Sequence, residues 1–510
     1  MKQTEVVFQM SPRTCRGFFS LIFALILAFA LLAAPIFNDC RAAGNSRVEM
    51  SADRSAALDG ETWKRHYIED ILPYWSDKSA LGEPFGNFPT RRDMNGVACG
   101  SIRYTRMIAR QVYAYLIGFN LTGDEKLLEY AMCGARWMRM KAKDPGRGYH
   151  ARLDAKGNPE RSYCKTAQDQ AYSMLAFSAL YYVTRHPSAK KELDENISLI
   201  FEGPFFDAEK RMIKDALSSD LSKTVEFENP GHDIVTVLDQ VNAYLGLYAA
   251  CLEGVERRAV LKYLKTCGDI LAEKFFADGI FWDTDINRKN YNVRHLDAGH
   301  VLKTYWMLYE IAGMWRREYG EPLYSKILDE YMIKVLLAAY SEKYTMWGKK
   351  FRGSCMNVIC AKPDWWMQCE CNQLASRLIE KDARLAAVLE KTAGFWFSSD
   401  FIDRTRAIRG IRDGVGLDGK FIKNRDSMTV KAYEWKNGYH ESEQAITLYL
   451  ALNSYNKKRS TLYFAVPRAL AKKFVPTPYM FGGRAVSIKE EGPLSGGEFV
   501  KIKAVFEHID

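Results

Sequence analysis

Two of the eight histidines in the chain stand at the starts of long apolar stretches. His300 follows Asp297-Ala298-Gly299, and His440 follows Trp435-Lys436-Asn437-Gly438-Tyr439. Imidazole changes charge near neutral pH, so two of them facing one substrate from opposite sides form an acid/base pair that can move a proton on and off carbon. Four other apolar stretches carry polar groups of the right kind to assist: Arg110-Gln111, Asp169-Gln170, Asp239 with Asn242, and Gln368 with Glu370. Arg110 lies one helical turn from Arg106, and an arginine in a pocket can hold a carbonyl oxygen or stabilise an enolate. Trp365 and Trp366 offer flat faces for a sugar ring, with Gln368, Glu370, Asp239 and Asn242 as partners for its hydroxyls. Each group also has an ordinary reading: a capping histidine, an ion-paired arginine, a buried tryptophan pair, a polar helix face. What sets them apart is their recurrence.

The polar groups return roughly every sixty to seventy residues, each inside text that reads as helix, such as AYSMLAFSALYYV, VNAYLGLYAACLE and VLKTYWMLYEIAGMW. Between them lie further helix-like segments, including Glu125–Lys141, Glu256–Phe276, Leu323–Tyr340 and Asp382–Trp396. A two-helix unit repeated six times must stack on its neighbours to bury its faces. The expected fold is therefore mainly α, an (α/α)6 barrel of inner and outer helices, with the inner helices aiming their polar groups at one pocket. Residues 61–456 form this barrel, preceded by a linker at 44–60 and followed by a β-rich appendage at 457–510, where TLYFAV, PYMFGGRAVSIKEE and EFVKIKAVF alternate in the strand manner. Turn signals at Asp144–Tyr163 and Phe275–Asn292 predict β-hairpins on the rim.

Residues 1–43 read as a targeting segment. Lys2, Arg13 and Arg16 precede the uncharged run Phe18–Phe37, and Cys40-Arg41-Ala42 offers a cleavage site. The run is also long enough to remain as a membrane anchor. The expectation is export, to the periplasm or medium, with membrane contact only through this segment. Of the 11 cysteines, most sit in apolar helix text and read as free buried thiols rather than a disulfide framework. Cys369-x-Cys371 lacks further ligands at suitable spacing, so no metal is expected. The +10 formal charge is dispersed, and no Lys/Arg block marks a nucleic-acid surface. Aromatics at 13 % suit sugar stacking as well as core packing.

Over roughly Glu61–Asn456 the chain resembles the N-acylglucosamine 2-epimerase family, which includes cellobiose and mannose epimerases or isomerases on an (α/α)6 barrel. The resemblance rests on RMIARQVYAY at Arg106–Tyr115, LTGDEKLLEYA at Leu121–Ala131, DAKGNP at Asp154–Pro159, AGH at Ala298–His300, WWMQCE at Trp365–Glu370 and WKNGYH at Trp435–His440. It implies that His300 and His440 are the catalytic histidines, that Arg110 is the arginine of the first inner helix, and that Glu370, Gln368, Trp365, Trp366, Asp239, Asn242 and Trp435 contact substrate. The chain departs from the family's pattern at two places. Asp239 and Asn242 stand where a His-x-x-Glu is usual, and Lys303 stands where a glutamate follows the first catalytic histidine.

These readings imply proton transfer alpha to a sugar carbonyl, which needs no cofactor, on a sugar, oligosaccharide or polysaccharide. Two alternatives stay open at this level. One is a glycoside hydrolase or polysaccharide lyase on the same toroid, using Asp239 and Glu370 as its carboxylate pair. The other is a non-catalytic glycan-binding protein of the cell envelope.

Overall fold

A computed structural model describes residues 54–225, 233–244, 247–286, 297–351, 358–360, 364–404, 410–412 and 430–510. The targeting segment at 1–43, most of the 44–60 linker and the end of the Phe275–Asn292 excursion lie outside these residues. Ala52–Asp510 forms one compact unit.

Six helices are buried along most of their length: α2 (Thr105–Thr122), α4 (Ala167–Thr184), α6 (Ile234–Tyr244), α8 (Ala298–Tyr319, whose last turn reaches the surface), α10 (Trp365–Arg377) and α12 (Tyr439–Tyr455). Each has apolar residues around its circumference, as a helix packed on all sides requires. They alternate with amphipathic helices that bury one face: α1 (Gly60–His66), α3 (Glu125–Trp137), α5 (Pro187–Ile197), α7 (Gly254–Ile270), α9 (Ser325–Ala339) and α11 (Arg384–Trp396). The buried helices touch in the order α2–α4–α6–α8–α10–α12, and α12 also packs on α2. Each of α3, α5, α7, α9 and α11 packs against the buried helix before it, and α1 packs on α12.

Local sequence explains the helix ends. Asp59, Asp124, Thr166 and Asp297 accept backbone N–H bonds at the starts of α1, α3, α4 and α8. Gly123 and Gly320 close α2 and α8 in the left-handed region, at φ 74° each. The excursion at Asp144–Tyr163 differs from expectation. Its strand Arg152–Leu153 pairs with Arg103–Tyr104 ahead of α2, and only single bridges, Lys143–Tyr149 and Leu153–Pro159, close its own turns. The chain there braces the entrance to α2 instead of standing alone. Phe276–Ala277 and Ile280–Phe281 do form a short antiparallel pair.

At the C-terminal end, strands β1 (Ser460–Pro467), β2 (Arg484–Pro493) and β3 (Phe499–Glu507) make an antiparallel sheet in the order β1–β3–β2. Leu462, Phe464, Val500, Ile502, Ala504 and Phe506 are buried, and β1 lies against α2 and α4. The sheet meets the helices at Gly123, where an added Cβ would come within 2.9 Å of the Tyr463 ring. Gly123→Ala is expected to cost about 1–2 kcal/mol, the ordinary cost of a left-handed L-residue. The midpoint of urea unfolding checks it.

Candidate active site

The side chains that could do chemistry come from the first three turns of the six buried helices, and they bond to one another across helix boundaries. Arg106 of α2 pairs with Asp169 of α4 at 3.2 Å. Asp239 of α6 accepts from Gln168 of α4 at 3.0 Å and from Lys303 of α8 at 3.3 Å. Asn242 of α6 accepts from the Tyr439 hydroxyl of α12 at 2.8 Å. Glu370 of α10 meets His440 of α12 at 2.8 Å. The N-terminal ends of the six helices thus converge, and their partial positive charges point at one region.

Trp366 is the centre of this region. Its ring centroid lies 4.6 Å from that of His300 and 5.8 Å from that of His440. The two imidazoles, 140 positions apart in the chain, therefore flank one indole, separated by no more than those two distances end to end. Gly299 makes the packing possible, because a Cβ there would fall 2.3 Å from the Trp366 ring.

The two imidazoles have opposite surroundings. His300 is partly exposed, with Nδ1 3.0 Å from Asp297 Oδ2, while Asp297 Oδ1 caps the His300 backbone N–H at 2.9 Å. Burial opposes its charge, but the Asp297 carboxylate outweighs burial and raises its pKa above 6.5. His440 is buried, and burial together with the Lys303 and Arg110 cations holds its pKa well below 6.5. Glu370 binds His440 Nδ1 through one oxygen, and its other oxygen accepts from Trp306 Nε1 at 2.7 Å. Burial raises the Glu370 pKa, against the Lys303 charge and the Trp306 N–H; when Glu370 is ionised it can only accept, so Nδ1–H donates to it and neutral His440 keeps its lone pair on Nε2. The two imidazoles are thus shifted in opposite directions, His300 toward holding a proton and His440 away from it, the kind of difference that divides acid from base.

Arg110 stacks on Tyr172 with its guanidinium carbon 3.8 Å from the ring centroid, and Nη1 donates to the Trp435 carbonyl at 3.2 Å. Its Nε has no protein partner among the described residues. Trp435 is 46 % exposed and stacks on Arg106 at 4.0 Å, so its indole sits at the edge of the cluster. Trp365 is buried, 6.2 Å from the His440 ring, with the Lys436 ammonium over its other neighbourhood at 4.4 Å. Lys303 and Asp239 form a buried ion pair. Burial works against the Lys303 charge, but Tyr172, Asp239 and Glu370 outweigh it and raise its pKa.

His300, His440, Arg110, Trp366, Asp239 and Asn242 are thus placed near one another. Two expectations need correction. Glu370 is not available to substrate hydroxyls, since it is fully buried with both oxygens bonded behind His440. Gln368 is not part of the site, because both ends of its amide bond the Trp347 backbone. The sequence reading missed Asp297, Tyr172, Trp306, Tyr439 and Glu443. Asp297 and Glu443 had a legible signal, each standing three residues from a histidine on the same helical turn.

Solved structures share this mainly helical fold. Cellobiose 2-epimerase from Bacillus thermoamylovorans superposes with TM-score 0.65 at 18 % identity, covering 77 % of this chain and 98 % of that one. Cellobiose 2-epimerase from Spirochaeta thermophila gives 0.66 at 16 %, covering 80 % and 100 %. A D-mannose isomerase gives 0.63 at 16 %, covering 77 % and 98 %. No curated protein matches the sequence itself. The model of the N-acylglucosamine 2-epimerase family matches residues 86–403, and the chain belongs to that family. Its activity class is that of the carbohydrate epimerases and isomerases.

Asp297→Asn should separate charge from capping at His300, because asparagine caps a helix as well as aspartate does. NMR titration of the imidazole is expected to find the His300 pKa above 6.5 in the wild type and lower in the variant, where burial and the Lys303 charge are opposed by Asp239 without Asp297. An unmoved value would remove Asp297 from the account.

Proposed function

We propose that the six-helix contacts close into an (α/α)6 toroid and that the protein interconverts sugars at a reducing end by proton transfer between two histidines. The sugar opens to its carbonyl form. His440 Nε2 removes the proton from the carbon alpha to the carbonyl, the C–H electron pair forms a C=C bond, and the negative charge moves to the carbonyl oxygen. Arg110 and the converging helix N-termini stabilise that oxygen. His300, in its protonated form, returns a proton to the opposite face of the same carbon for epimerisation; for isomerisation the proton goes to the former carbonyl carbon while the neighbouring hydroxyl proton passes to the enolate oxygen, so that the C=O bond re-forms one carbon along. Atoms and charge balance without a cofactor. The observation that supports this reading is the packing of two imidazoles of opposite protonation tendency against one indole, Trp366.

Trp435 supports an oligosaccharide substrate, since its partly exposed indole gives a second ring a surface beyond the reacting sugar. Hydrolysis is disfavoured by the same geometry: Asp239 is ion-paired with Lys303, and Glu370 is committed to His440 and Trp306.

The test is incubation with cellobiose and with D-mannose in D2O, followed by NMR. New epimer or ketose should appear with deuterium at the carbon alpha to the carbonyl. His300→Ala and His440→Ala should each lower turnover by about a hundredfold or more, the usual contribution of general acid/base catalysis. New reducing ends without exchange would instead indicate a hydrolase.

We also propose export directed by Phe18–Phe37, supported by the charge-free run and the basic residues ahead of it. Fractionation of cells expressing the full chain should place the protein outside the cytoplasm. Unprocessed protein in the soluble cytoplasm would contradict it.

A further inference from the structure

Glu443 lies one turn beyond His440 on α12, fully enclosed, and no step of the proton transfer uses it. Its surroundings come from five other elements. Oε1 faces the Tyr479 hydroxyl at 3.2 Å, in the loop between β1 and β2, and Tyr479 in turn bonds the Tyr113 hydroxyl of α2. Oε2 lies 3.0 Å from the Tyr439 hydroxyl and 3.3 Å from Gln373 Nε2 of α10. Glu370 and Arg377 of α10 and Lys303 of α8 supply the nearby charges. The Tyr67 hydroxyl, next to α1, is spent on the Ala114 carbonyl.

The protons in this cluster can be counted. Tyr439 has one hydroxyl proton and two oxygens within reach, Asn242 Oδ1 at 2.8 Å and Glu443 Oε2 at 3.0 Å. If the proton goes to Asn242, the nearer oxygen, the contact with Glu443 is a hydrogen bond only when Glu443 itself donates. Glu370 differs in its partners: an indole N–H, which can only donate, and His440 Nδ1; burial raises its pKa, and the Lys303 charge is the foremost influence opposing burial. Two buried carboxylates so close in one network do not both ionise readily.

We propose that Glu443 is a positioning residue that carries the single proton of the Glu370/Glu443 pair, leaving Glu370 ionised to hold His440 by its Nδ1–H. Tyr479, donating to Oε1, makes the C-terminal sheet part of this arrangement. The loop that delivers Tyr479 is itself fixed in the helices, since the Tyr479 N–H donates to the Tyr182 hydroxyl at 2.9 Å. Burial first, then the Glu370 charge, pushes the Glu443 pKa up to about 7. The consequence for catalysis rests on the reading of His440 as the base; the proton count does not.

The folded-state pKa lies above the ordinary 4.5, so the protonated carboxyl's contribution to stability is fully present below pH 4.5 and is lost as pH rises through about 7. Glu443→Gln replaces the protonated acid with a neutral amide of similar shape. Thermal unfolding of the full chain and of this variant, from pH 4 to pH 8.5, is the test. The wild-type Tm should fall relative to the variant's between about pH 4.5 and about 7, with the two differing by a constant above that window. A difference independent of pH, or a wild type that gains on the variant as pH rises, would overturn the proposal. Should Glu443→Gln fail to fold, Tyr479→Phe serves. Removing a donor from Glu443 raises its proton affinity, so the fall in Tm should move to higher pH; a fall that stays put or moves lower overturns the proposal. No activity is read, so failure of the reaction assignment and failure of this proposal give different results.

Discussion

Charge taken out of water must find its partner inside the protein, and at the N-terminal ends of the six buried helices nearly every group obeys this constraint. Lys303 faces Asp239, Arg106 faces Asp169, and His440 faces Glu370. A lone buried ion costs several kcal/mol, so each partner helix is held in place by the charge it must meet. The cluster is therefore a set of cross-helix ties as well as a chemical centre. Removing one partner strands the other, which makes the charged residues poor sites for conservative exchange.

The same constraint separates the two histidines. His300 has a carboxylate of its own at the helix cap and a partial view of solvent, so it tolerates charge. His440 is enclosed and faces Lys303 and Arg110, so a further positive charge there is disfavoured. Trp366 packs against both imidazoles and so fixes them in one neighbourhood. The departures at positions 239 and 303 fit this picture: the two side chains pair with each other, and the cation of the pair is one of the charges that keeps His440 neutral.

Much of the helical plan was legible because a helix buried on all sides writes a long apolar stretch, and a polar group inside such a stretch stands out. His300, His440 and Arg110 were found this way. Gln368, Gln111 and Gln170 stood out equally, yet their amides satisfy the backbones of Trp347, Trp75 and Tyr149. A glutamine serving a distant backbone and one awaiting a substrate look alike until the chain is folded. Glu370 was legible as a polar group but not its direction, because only the packing of α10 on α12 shows that it backs a histidine. The strands after Asn456 were visible in their alternation, but nothing in PTPYMFGG announced that Tyr479 would reach Glu443 among the helices.

The central claim is a statement about where protons reside, and neutron diffraction from deuterated crystals at pH 6 reads it directly. The account predicts deuterium on both ring nitrogens of His300 and on Nδ1 alone of His440. A His440 that is doubly deuterated or carries deuterium only on Nε2, or a His300 with a single deuteron, would contradict it.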